Sequence, residues 1–104
     1  MHSSVTFQVV YEDPSQLFKG LSSVKRLLEA ERCNMATGPS WVVASCKDLL
    51  VKAKVSVEGA ERIPIGSVKG HLIIQAEGEP DDLVRASRMA LAVAQETGGG
   101  LLMA

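Results

Sequence analysis

Aromatic residues are scarce in this chain: Phe7, Tyr11, Phe18 and Trp41 are the whole set among 104 residues. So few rings disfavour a base-stacking surface of the kind that binds single-stranded nucleic acid. No charge of one sign dominates, since 11 Lys and Arg stand against 12 Asp and Glu. That near-balance leaves no electrostatic footprint for nucleic acid and no acidic tail. No apolar run is long enough to span a bilayer. The opening residues MHSSVTFQVV lack the basic region, apolar core and small-residue cleavage site of a secretory signal. Two cysteines, Cys33 and Cys46, do not make a disulfide framework, so reduced thiols in a cytoplasmic protein are the expectation. His2 and His71 are too isolated for a triad or a zinc site. What is left is one domain over residues 1–104, long enough for a single modest core.

Periodicity supplies the elements. Val5, Phe7, Val9 and Tyr11 alternate with Thr6, Gln8 and Val10, which reads as a strand. Asp13 then caps a helix, with Pro14 at its first position and Gln16 in a capping-box place. Leu17, Leu21, Val24 and Leu28 form its apolar stripe, and Gly20, Ser22 and Ser23 weaken its middle. ERCNMATG, residues 31–38, reads poorly as either helix or strand. Thr37–Gly38–Pro39 predicts a second helix, with Val42, Cys46, Leu49, Leu50 and Ala53 on its buried face. Val55–Val57 predicts a strand directly after it. Pro64, Gly66 and Gly70 suit a loop between antiparallel strands. In the next strand Leu72, Ile74 and Ala76 face one way, while His71, Ile73 and Gln75 face the other. Gly78–Glu79–Pro80 opens a last helix, with Asp81 and Asp82 favourably near its N-terminus and Leu83, Ala86, Ala90, Val93 and Ala94 as its core stripe. Gly98–Gly100 reads as a turn into a short apolar tail. The sum is an α+β sandwich of ferredoxin-like type, a mainly antiparallel sheet with helices packed on it. That architecture does not by itself give a function.

One stretch goes further. Asp48, Lys52 and Ala53, followed by Lys54–Val55–Ser56–Val57–Glu58, form an Asp-x-x-x-Lys-Ala helix end feeding a Val-rich strand. This order, with Gly70, Gly78, Ala86 and Ala90 after it, resembles the bacterial microcompartment (BMC) shell domain from about Pro39 to the C-terminus. VTFQVVYEDPSQLFKGL resembles the start of the circularly permuted shell proteins of ethanolamine- and propanediol-utilisation compartments. The permuted proteins carry an apolar strand where this chain has ERCNMATG. If that strand is absent, Val5–Tyr11 takes its place and the helix over 14–32 becomes an insertion.

The resemblance implies a structural protein, not an enzyme: a homohexameric tile of a cytoplasmic shell, meeting other shell proteins and the enclosed enzymes. It implies an assembly edge at Asp48 and Lys52. The bland alternative is a solvated Lys52 pairing with Asp48 one helical turn away. It also implies a pore lined by Arg62, Ile65, Gly66, Ser67, Val68, Lys69 and Gly70, uncapped because only Met1–Ser4 precede the first strand. A ring of Arg62 or Lys69 would favour small anionic or polar metabolites. Some shell proteins hold an iron–sulfur cluster through pore cysteines. Cys33 and Cys46 lie outside the pore loop and lack C-x-x-C spacing, so no metal and no cofactor is expected. Two rivals belong to other classes: a soluble ACT-like regulatory module that binds a small ligand, and a small enzyme or sulfur-transfer protein using Cys46.

Overall fold

A computed structural model describes residues 2–58 and 69–103. Strand β1 (Ser3–Tyr11) leads through a short 3-10 turn (Pro14–Gln16) into helix α1 (Leu17–Ala30). Four strands follow: β2 (Asn34–Thr37), β3 (Trp41–Cys46), β4 (Leu49–Glu58) and β5 (Lys69–Gly78). Helix α2 (Pro80–Thr97) and strand β6 (Gly100–Met103) complete the chain. All six strands form one sheet in the order β2-β3-β4-β5-β1-β6, every neighbouring pair antiparallel.

Two β-α-β units interleave in this sheet. β1 and β4 flank β5 and run parallel to each other, while β5 and β6 flank β1 and do the same. The hairpin partners β2 and β3 widen the sheet beyond β4. Both helices lie on one face, α1 over β3, β4 and β5, and α2 over β5, β1 and β6. Between helices and sheet sits a core of Phe7, Val9, Tyr11, Leu72, Ile74, Val51 and Val42 with the helical stripes Leu17, Leu21, Val24, Leu28 and Ala86, Ala90, Val93. The apolar alternation of β1 and β5 and the stripes of α1 and α2 therefore do what the sequence predicts. Among the described residues, no helix is long and apolar enough to cross a membrane.

The helix expected from Thr37 to Ala53 is a β-hairpin instead. Cys46 pairs with Leu49, and Lys47–Asp48 make the two-residue turn, Lys47 adopting a left-handed backbone at φ 57°. The positions 42, 46, 49, 50 and 53 satisfy a helical period by coincidence. In the hairpin, Val42, Ala44 and Cys46 point into the core from β3, and Leu49, Val51 and Ala53 do so from β4. Leu50 tells the two patterns apart, because it faces the other side of the sheet and is only partly buried. Strand propensity in Trp41, Val42, Val43 and Val51 wins over the stripe.

Residues 31–38 also change status, since Asn34–Thr37 form the edge strand β2. The expectation of reduced thiols is overturned as well. Cys33 and Cys46 are joined in a disulfide with Cα atoms 4.4 Å apart. The β2–β3 register explains it: Asn34 opposes Ser45, so the next pair along the two strands is Cys33 and Cys46. Asp13 caps as expected, its carboxylate accepting from the Ser15 N–H at 2.9 Å. Helix α1 runs unbroken through Gly20 and Ser23, which are buried where the helix meets its neighbours. Gly98 ends α2 in the left-handed region at φ 71°, a C-cap that lets Gly99 N–H reach Ala94 C=O at 2.9 Å.

Candidate functional site

Both helices lie on one side of the sheet, and among the described residues no layer covers its other face. The strand register fixes which side chains share that face. One row across the strands reads Ala36, Val43, Lys52, Gln75 and Thr6. The next reads Trp41, Lys54, Ile73, Gln8 and Leu102. Alternation places Lys52 and Lys54 two residues apart on β4, about 7 Å along the strand, both exposed. Neither has an ion-pair partner among the described residues.

Around these two lysines the face is apolar on both sides. Trp41 and Val43 rise from β3, Ile73 from β5, and together with Lys52, Lys54 and Gln75 they line a groove of about 270 Å³. Trp41 is held from behind. A Cβ on Gly38 would fall 2.2 Å from its Nε1, so only glycine admits the indole there. Lys25 Nζ donates to the Gly38 carbonyl at 3.1 Å, tying the same loop to α1. The disulfide anchors β2 to the far end of β3. The apolar wall of the groove is therefore fixed at both ends.

The sequence-derived residues are only partly brought together. Lys52 stands near the centre of the open face, whereas Asp48 sits in the turn at one end of β4. Four residues along a strand separate them by about 13 Å, so the one-turn Asp48–Lys52 pair does not form. Gly70 is buried in β5, opposite Tyr11 on one side and Val57 on the other. Lys69 opens the same strand. Arg62, Ile65, Gly66, Ser67 and Val68 lie outside the described residues. Asp81 and Asp82 stand at a helix start as expected, in the first turn of α2, and Asp82 accepts from Arg85 at 3.2 Å. Arg85 also donates to Glu31 at 2.9 Å, and this pairing holds its guanidinium pKa above the ordinary value. Sequence reasoning overlooks Trp41 and Val43 because it folds 41–53 as a helix, and so it leaves Lys54, Ile73 and Gln75 on strands without the wall beside them. The alternation Trp41–Val43–Ser45 against Val42–Ala44–Cys46 is the signal that finds that wall.

Elsewhere the polar groups serve packing. Thr97 Oγ1 donates its one hydrogen to the Val93 carbonyl at 2.6 Å, so the Tyr11 hydroxyl is the donor in its 2.6 Å bond with Thr97. Burial pushes the Tyr11 phenol above its usual pKa. Among the described residues, no group of three or more His, Cys, Asp or Glu is placed to hold a metal ion. No protein-family model matches the chain, and no curated protein matches it significantly.

Proposed function

We propose that this chain is an interaction module of ferredoxin-like architecture that holds an acidic, partly apolar peptide segment of a partner on its open sheet face. One observation carries the reading: among the described residues, two lysines without an ion-pair partner stand between Trp41, Val43 and Ile73 on a face that no helix covers. Six strands of four to ten residues, rising about 3.3 Å per residue and about 4.8 Å apart, give a face of roughly 700 Å². That approaches the ~800 Å² per partner of standard protein interfaces. The groove falls just below the ~300–1,000 Å³ of enclosed small-molecule pockets, which favours a peptide side chain over a free ligand.

The division of labour follows from magnitudes. Exposed ion pairs contribute only about 0–1 kcal/mol each, so Lys52 and Lys54 steer and orient while Trp41 supplies the buried anchor. Three readings drawn from the sequence ask different things of this architecture, and the sulfur-transfer rival needs a free Cys46 thiol, which the disulfide to Cys33 takes up. An ACT-like regulatory module uses the same architecture with a small ligand. A hexameric shell tile is association in a closed ring, and it requires six copies in solution.

Trp41 is the only tryptophan, so its emission reports on the groove. A titration with an amphipathic peptide of Glu and Leu should shift that emission. The same peptide with Lys in place of Glu should not. Lys52→Glu with Lys54→Glu should weaken the acidic peptide at least about tenfold. Emission that ignores both peptides contradicts the proposal.

A further inference from the structure

Unfavourable backbone geometry gathers at the two ends of one bond. Among the described residues, Arg32 at φ 59° and Lys47 at φ 57° are the non-glycine residues with a left-handed backbone. Arg32 stands immediately before Cys33, and Lys47 immediately after Cys46. Two hydrogen bonds close α1, Arg32 N–H to Glu29 C=O at 2.9 Å and Cys33 N–H to Leu28 C=O at 3.2 Å. They put arginine where a helix end favours glycine. Lys47 likewise fills a hairpin-turn position that favours Gly, Asn or Asp. A residue in this region costs free energy and stays there only while its surroundings constrain it. For both residues the adjoining Cys33–Cys46 bond is such a constraint. Disulfides whose closed form is strained are the readily exchanged ones.

Little else secures β2. It has four residues and β3 as its one neighbour in the sheet, and its Asn34 and Ala36 are poor strand formers. Met35 is partly buried against the core, while Asn34, Ala36 and Thr37 are exposed. At its far end the Lys25 ammonium donates to the Gly38 carbonyl, and one such bond contributes little net stability. Yet β2 bounds the groove. Ala36 opposes Val43 in the row that holds Lys52, and β2 runs directly into Gly38, against which the Trp41 indole is seated.

We infer that Cys33–Cys46 is a reversible redox clip: opened by a dithiol, it releases β2 and unseats Trp41 from the groove wall. Cys46 is 6% exposed and Cys33 is only partly buried, so a thiolate of the dithiol attacks the Cys33 sulfur. A new S–S bond joins the reductant to Cys33, and Cys46 leaves as a thiolate that takes up a proton. The reductant's second thiol then attacks its partner sulfur in that mixed disulfide and frees Cys33 as a thiol. The protein disulfide thus gains two electrons and two protons, and the dithiol becomes a disulfide.

The effect on binding rests on the groove reading above; the clip itself does not. The whole chain, oxidised and then treated with dithiothreitol, tests the clip without any peptide. Alkylation and mass measurement should find both thiols free. Reduction should move the Trp41 emission to longer wavelength and speed exchange of the β2 amides, while circular dichroism and the protection of β4 and β5 hold. Re-oxidation with oxidised glutathione should restore the starting emission. Cys33→Ser with Cys46→Ser should show the shifted emission and ignore dithiothreitol. The acidic peptide should bind the reduced chain at least about fivefold more weakly than the oxidised chain, because the wall is no longer preorganised. A peptide that binds neither form contradicts the groove reading, and the emission and exchange shifts still decide the clip. A bond that resists dithiothreitol in the folded chain, Trp41 emission unchanged by reduction, equal peptide affinity in the two forms, or loss of the whole fold on reduction overturns the inference.

Discussion

Glu96 is the residue that ties the two helices together. It accepts from the buried Ser23 hydroxyl at 2.6 Å and from the Arg26 guanidinium. The Ser23 hydrogen bond, with Arg26 behind it, holds the Glu96 carboxyl below its ordinary pKa. A carboxylate depressed in the folded state contributes stability above its unfolded value of about 4.3. That contribution is lost as pH falls through the depressed folded value. Glu96→Gln should therefore lower the melting temperature near neutral pH, and the gap from wild type should close as pH drops from about 7 to about 3. Thermal melts across that range check it. A gap of constant size would mean that the carboxylate charge is not what links α1 to α2.

The β2–β3 unit is where element-scale stability is most unevenly spread. β2 has only four residues and a neighbour on one side, and the Cys33–Cys46 bond closes a loop with a sequence separation of 13. Loops of about 15 residues gain roughly 3 kcal/mol from such a bond in the chain-entropy account. Reduction should lower unfolding free energy by about that amount. It should also expose β2 amides to hydrogen exchange ahead of those of β4 and β5. Equal loss of protection across the sheet would contradict a local role.

The same unit is where the sequence is hardest to read. β1, α1, β5 and α2 announce themselves through long, consistent periods such as Val5–Phe7–Val9–Tyr11 and Leu17–Leu21–Val24–Leu28. The β3–β4 hairpin does not. Its turn is Lys47–Asp48, with no Asn-Gly or Asp-Gly to signal it. Val42, Cys46, Leu49 and Ala53 also fit a helical stripe as well as two strand faces. The disulfide follows from the β2–β3 register and could not be read before it.

At the scale of the molecule, one layer of helices on a six-stranded sheet leaves the other face without a layer among the described residues. The family resemblance singles out Lys52 for an assembly edge, but the surroundings of Lys52 on the sheet are not legible in the sequence. They are assembled by register from β3, β4 and β5, across more than 30 positions of chain. The central claim is that this open face is the working surface. Backbone amide shifts in a nitrogen-15 NMR titration with the acidic amphipathic peptide test it most directly. The account expects the largest shifts at Trp41–Val43, Lys52–Lys54 and Ile73–Gln75, with the outer surfaces of α1 and α2 unchanged. Shifts confined to the helices, or none on β3, β4 and β5, would contradict it.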